Sequence, residues 1–208
     1  MTAGRWSVVV PVKGAAGKSR LGDDPRRARF AWAFAQDAVA AVVATADVGE
    51  VIVVCADVED ARRMFPAARI VADPGRGLNA AIRAGLETVP DARADTAVLL
   101  GDVPALTSGE LAAALLAARG FERALVPDAD GSGTVLTTAR EGTRHVPRFG
   151  SDSRVLHEAV GYREIFVPAE SGLRRDVDAL SHLEGIDPSR LGAHTRAVLT
   201  GSAAPLRS

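Results

Sequence analysis

One cysteine, two lysines and four histidines among 208 residues exclude several kinds of chemistry before any motif is considered. The lone Cys55 forbids a disulfide framework, and its place in the apolar run "VIVVCA" reads as a small core hydrophobe. His145, His157, His182 and His194 are scattered, with neither metal-ligand spacing nor a paired nucleophile, so each reads as surface or helix filler. Charge of one sign is also missing. With 25 basic and 26 acidic residues, no global field recruits nucleic acid or an acidic membrane, and any anionic ligand must be met locally. No apolar run approaches the roughly 20 residues needed to span a bilayer, and no basic leader precedes an apolar segment. A cytoplasmic protein without membrane or nucleic-acid partners is the expectation.

What is present is a hydrophobic content of 47%, enough for one well-buried domain. The runs "SVVVPV" (7–12), "EVIVVCA" (50–56) and "TAVLLG" (96–101) are continuous, β-branched and followed by loops, the form of strands buried on both faces. Between them lie helical segments, a long alanine-rich one at 26–46 and a shorter one, "LNAAIRAGLETV", at 78–89. Thr107 and Glu110 have capping-box spacing before "LAAALLAARG", and Gly120 lies where that helix would stop. Asp187 before Pro188 is expected to open a last helix reaching about Leu199. Such alternation predicts an α/β sandwich around a mainly parallel sheet. Residues 1–200 are expected to form one domain and 201–208 a frayed tail. The long helix, with Phe30, Trp32 and Phe34, is expected to pack on its own sheet rather than on a second subunit. Composition does not choose between monomer and homodimer.

In sheets of this kind ligands bind beyond the carboxyl ends of the strands. The first such loop, "VKGAAGKSRL" (12–21), holds both lysines of the chain, Lys13 and Lys18, together with Arg20. Counting back five positions from Gly17 reaches Val12, still strand, so this is not a Walker loop. Its small residues nevertheless let a backbone approach phosphates closely. Lysine offers a compact, rotatable point charge where arginine offers a rigid fork, which suits a crowded phosphate in transfer. The second loop, in "VLLGDVPALT" (98–107), ends an apolar strand with Asp102, placed to ligate a hard cation such as Mg²⁺ or to serve as a turn residue. In "LRRDVDAL" (173–180), Asp176 and Asp178 project to the same side if the segment is extended, a costly arrangement unless a cation lies between them. The alternative reading of Asp178 is as the cap of a following helix. Last, "DADGSGTVLTTA" (128–139) and "RHVPRFGSDSR" (144–154) read as a β-hairpin with a glycine turn followed by an N-capped helix, and they gather hydroxyl and amide donors suited to carboxylate and phosphate groups.

Taken in order, these segments describe a metal-dependent nucleotidyltransferase, and through "VKGAAGKSRL", "GLNAAI", "GDVPAL", "DGSGTVL", "PRFGSDS" and "RRDVDALSHL" the chain resembles the guanylyltransferases of deazaflavin coenzyme F-420 biosynthesis, the CofC or FbiD family. The glycine-rich "LxGGxSxRMG" opening of molybdopterin guanylyltransferases is absent. The resemblance implies a glycosyltransferase A-like α/β fold and transfer of GMP from GTP to phosphoenolpyruvate with release of pyrophosphate; 2-phospho-L-lactate is the alternative acceptor. It further implies acceptor contacts at Thr134, Gly150 and Ser153, Mg²⁺ on Asp102, Asp176 and Asp178, and Asn79 near the nucleotide. Lys13, Lys18 and Arg20 would hold the phosphates, and a deazaflavin transferase would consume the product.

Overall fold

The computed structural model describes residues 5–12, 26–89 and 94–202. Lys13, Lys18, Arg20 and the tail beyond Ser202 therefore lie outside the described residues.

A seven-stranded mixed sheet forms the centre, in the order β3 (Arg69–Ala72), β2 (Val48–Cys55), β1 (Trp6–Val12), β4 (Thr96–Leu99), β6 (Thr134–Ala139), β5 (Arg123–Pro127) and β7 (Arg163–Glu164). β1 runs parallel to both β2 and β4, β2 to β3 and β5 to β7, whereas β6 is antiparallel to both of its neighbours. All seven residues of β1 are buried, as a continuous apolar run requires of a central strand covered on both faces. Strand alternation divides them. Val8, Val10 and Val12 join the larger core cluster with Trp32, Val39, Leu111 and Leu115, while Val9 faces Ala81 and Ile82 on the other side. Thus α1 (Arg27–Val43) and α4 (Ser108–Ala118) cover one face and α3 (Leu78–Leu86) the other. Cys55 is buried in the larger cluster, where desolvation pushes its thiol upward.

Helix α1 is apolar nearly all round because it is buried nearly all round. Trp32 packs toward the sheet, and Phe30 and Phe34 form a second cluster with Val177, Leu183, Ile186, Leu191 and Val198. The aromatic residues of the helix are thus used within the chain. The expected capping box is formed: Thr107 accepts from the Glu110 amide, and Glu110 accepts from the Thr107 amide.

The expected last helix is corrected. Asp187 and Pro188 open only a 3-10 turn over Pro188–Arg190, and α7 (Ala193–Leu199) begins separately after Gly192. Its first amides are held by the buried Asp37 of α1, which accepts from His194 N (3.0 Å) and Thr195 N (2.9 Å), a partner from the far end of the sequence. No helix among the described residues is long and apolar enough to cross a membrane.

Two contacts fasten the segment that carries Asp176 and Asp178 to the residues that follow β4, one of backbone and one through the Glu110 carboxylate of α4. Val177 N donates to Asp102 O at 2.8 Å. Upstream, Glu110 accepts from Ser171 Oγ and Gly172 N, drawing Gly172 so close that an added Cβ would lie 2.0 Å from the Ala105 carbonyl oxygen. Backbone cannot yield there as a flexible side chain would. Gly172→Ala is expected to lower the unfolding free energy by about 1–3 kcal/mol, read from the urea midpoint; an unchanged midpoint would show that the two loops are not pressed together.

Candidate active site

The sheet changes direction of growth at β1 and β4: β2 and β3 are added on one side of β1, and β4 on the other. A crevice opens beyond the carboxyl ends of strands at such a point. Here it is a cavity of about 890 Å³, walled by the loop after β4, the β5–β6 turn, residues 149–153 and the segment from Arg175 to Ile186.

One wall is anionic. Asp102, Asp176 and Asp178 all line the cavity. Val177 is buried in the cluster with Phe30 and Phe34 while its two neighbours line the cavity, on the common side that the sequence spacing predicts. Asp178 does not cap a helix: α6 (Ser181–Glu184) follows Leu180, with no side-chain cap. Asp128 lines the same cavity and accepts from Ser132 N and Gly133 N, which holds the β5–β6 turn. Burial pushes Asp176 up to about 7, and the Asp102, Asp178 and Asp128 carboxylates add to that shift. Burial and the neighbouring carboxylates thus both oppose ionisation of Asp176. Among the described residues no three His, Cys, Asp or Glu side chains are gathered tightly enough to enclose a metal ion. The three aspartates share one cavity and one field, not a closed ligand shell.

The rest of the lining gathers hydroxyl and backbone donors, with the carboxylates of Asp130 and Asp152 among them. Thr134, the first residue of β6, and Ser153, the first of α5 (Ser153–Ala159), are buried yet line the cavity. Gly150 lies between them at φ +133°, a backbone angle that favours glycine. Asp152 adopts a left-handed conformation and makes no side-chain cap, so the expected N-cap of this helix is absent. Thr134, Gly150 and Ser153 are thus brought together although a hairpin strand and a loop separate them in sequence. Asn79 stands behind this wall rather than in it. Its amide donates to Phe149 O and accepts from Phe149 N, both at 2.9 Å, while its neighbour Leu78 lines the cavity.

Sequence reasoning missed three residues. Arg175 is a cation on the otherwise acidic wall, with Nη1 donating to Gly185 O and a buried Nε lacking a partner. The other two are histidines, and the expectation that all four are filler is corrected. His145 is buried between Tyr162 Oη (3.0 Å) and Thr96 O (3.1 Å); His157, fully buried, is bonded to Thr134 Oγ1 (3.1 Å) and Arg148 N (3.0 Å). Only the burial of their helix and loop neighbours distinguishes them from surface histidines, and scattered spacing carries no sign of it.

Comparison with known proteins agrees with this geometry. The MobA-like NTP transferase domain matches residues 15–181. A phosphoenolpyruvate guanylyltransferase of Streptomyces coelicolor is 44% identical over 202 residues, covering 93% of this chain and 95% of the relative. The chain belongs to the phosphoenolpyruvate guanylyltransferase family, within the MobA-like NTP transferases. Among solved structures, a protein of Desulfovibrio desulfuricans G20 provisionally described as a nucleotide-diphospho-sugar transferase superposes with a TM-score of 0.72 at 17% identity, covering 96% of this chain and 95% of that one. Rv0371c of Mycobacterium tuberculosis H37Rv, in complex with manganese, superposes with a TM-score of 0.58 at 19% identity, covering 88% and 97%. These superpositions establish the nucleotide-diphospho-sugar transferase-like α/β fold expected from the sequence.

The buried histidines set a pH dependence. Burial lowers both His145 and His157 from 6.5 to about 4. Between those values the unfolded chain binds more protons, so each subtracts up to about 1.4 kcal/mol of stability per unit of acidification. Asp176, raised from 3.8 to about 7, works in the opposite sense over nearly the same window. Two groups against one leave a net fall in stability as the pH drops from 6.5 toward 4. Urea unfolding at pH 6.5, 5.5 and 4.5 is expected to show this fall, and flat or rising stability would contradict the buried neutral histidines.

Proposed function

We propose that the chain transfers GMP from GTP to phosphoenolpyruvate and releases pyrophosphate, with Mg²⁺ on Asp102, Asp176 and Asp178. The observation that supports this reading is that one cavity is lined both by the carboxylates of Asp102, Asp176 and Asp178 and by the donors of Thr134, Gly150 and Ser153. A triphosphate cannot approach the first without a cation, and an anionic acceptor suits the second. The donor set fits a hard divalent ion, because Mg²⁺ in nucleotide sites takes one or two carboxylates plus phosphate oxygens and water, so that no closed protein shell is needed. The manganese complex of a structural neighbour supports a divalent cation. When bound, the ion supplies charge neutralisation at the phosphates.

The chain's own residues do the rest. Thr134, Gly150 and Ser153 orient the acceptor so that its phosphate oxygen faces the α-phosphorus of GTP. A bond forms from that oxygen to phosphorus as the bond to the bridging oxygen of the β-phosphate breaks, and the electron pair leaves with pyrophosphate. With a second pKa of about 6, the acceptor phosphate is largely ionised at neutral pH, so no general base is required. This agrees with His145 and His157 having their ring nitrogens engaged. Lys13, Lys18 and Arg20 hold the triphosphate, a role that draws on their charge and on the small residues between them. Catalysis rests on positioning and electrostatics. The setting is cytoplasmic, where both substrates are available, and the anhydride product passes to a deazaflavin transferase that displaces GMP.

Pyrophosphate release by the protein with Mg²⁺ and GTP is expected to depend on phosphoenolpyruvate, with that downstream transferase and its deazaflavin substrate present. Release only with 2-phospho-L-lactate would change the acceptor, and release with neither acid would overturn the reading. Asp102→Ala is expected to lower the rate roughly 10²-fold or more while circular dichroism is unchanged; retained activity would remove Asp102 from the metal site.

A further inference from the structure

The donor wall is supported by one buried imidazole, and its protonation can be worked out from its partners. Nε2 of His157 lies 3.0 Å from Arg148 N, and a backbone N–H only donates. Nε2 must therefore present its lone pair. A neutral imidazole carries its single proton on the other nitrogen, so Nδ1 is the donor and has no lone pair to offer. The contact of 3.1 Å between Nδ1 and Thr134 Oγ1 then runs from ring to hydroxyl. The proton of the hydroxyl is turned away from the ring. Among the described residues His157 is the sole side-chain partner of Thr134 Oγ1, and Thr134 lines the cavity.

We propose that His157 is a positioning residue: its Nδ1–H fixes the Thr134 hydroxyl as a donor aimed into the cavity, at an anionic oxygen of the acceptor acid. The inference rests on Thr134 belonging to the acceptor wall. Burial holds the ring neutral, with a pKa of about 4, so the arrangement persists at working pH. The same ring also stabilises the wall from behind. Through Arg148 N it fixes one residue of the loop, Asn79 fixes the next through Phe149 N and O, and the Phe149 ring meets the imidazole edge-on at 4.8 Å. Gly150 follows directly. An unrestrained hydroxyl would instead sample several rotamers and offer a lone pair to an anion as readily as a proton.

Two substitutions separate this role from simple core support. His157→Asn keeps an N–H near the position of Nδ1 and loses the acceptor for Arg148 N. His157→Gln keeps an acceptor near the position of Nε2 and loses the donor to Thr134. The expected result is a KM for phosphoenolpyruvate raised roughly tenfold in His157→Gln, the scale of one hydrogen bond to a charged group, with the KM for GTP within about twofold. His157→Asn should recover most of the phosphoenolpyruvate KM even if its melting temperature falls further. Equal effects of the two variants, parallel rises for both substrates, or no change in His157→Gln would each overturn the proposal.

Histidine ¹⁵N NMR of the unmodified protein provides a test that needs no variant to fold. Nδ1 is expected to be protonated and Nε2 bare, and the reverse tautomer would overturn the proposal whatever the acceptor. The expected tautomer without any turnover of phosphoenolpyruvate would locate the failure in the acceptor assignment, and the role given to Thr134 would fall with it.

Discussion

The hydrogen bond from Val177 N to Asp102 O, 2.8 Å long, is the constraint on which the site depends. It joins a late, irregular segment to the end of a central strand and sets the segment's register. With Val177 fixed, alternation sends its side chain into the core between α1 and the C-terminal helices, and the carboxylates on either side toward the cavity. Upstream, Glu110 grips Ser171 and Gly172; downstream, Gly192 N donates to Pro104 O at 2.8 Å. The residues that follow β4 are thus held on both sides, upstream by the Glu110 carboxylate and downstream by a backbone hydrogen bond. Side-chain packing alone would leave a one-residue slip open, and such a slip would bury the aspartates and expose the valine.

The constraint has an electrostatic consequence. A fold selected only for stability would not place Asp176 near Asp102, Asp178 and Asp128, all lining one cavity. Such placement is paid for elsewhere, by the continuous apolar strands and the fully used α1; under the proposed function a bound cation would reverse its sign. Across the cavity the requirement is different. Thr134, Gly150 and Ser153 offer neutral donors on a rigid frame in which buried His157 and Asn79 fix the backbone and hydroxyl directions.

Much of this was legible in the chain itself. β-Branched runs fixed the central strands, the Thr107 and Glu110 spacing fixed the start of α4, and the two-residue spacing of Asp176 and Asp178 fixed their common side. The resemblance also brought Thr134, Gly150 and Ser153 together. What could not be read depends on partners remote in sequence or on backbone groups that bear no letter. The start of α7 is set by Asp37, not by Asp187 and Pro188. Asn79 is taken up by the Phe149 backbone. His157 has a role only because the hydroxyl of Thr134 on β6 and the Arg148 amide in a loop converge on it, and no spacing rule encodes that. Arg175 has no spacing signal of its own, and only the folded segment shows that it lines the cavity.

The central claim is that the carboxylate wall becomes a nucleotide site by taking up a divalent cation. Mn²⁺ titration followed by electron paramagnetic resonance, with and without GTP, tests it most directly. The account predicts weak binding by the protein alone, binding tightened at least about tenfold by GTP through shared phosphate ligands, and loss of that tightening in Asp176→Asn. Equal Mn²⁺ affinity with and without GTP, or tightening that survives Asp176→Asn, would contradict it.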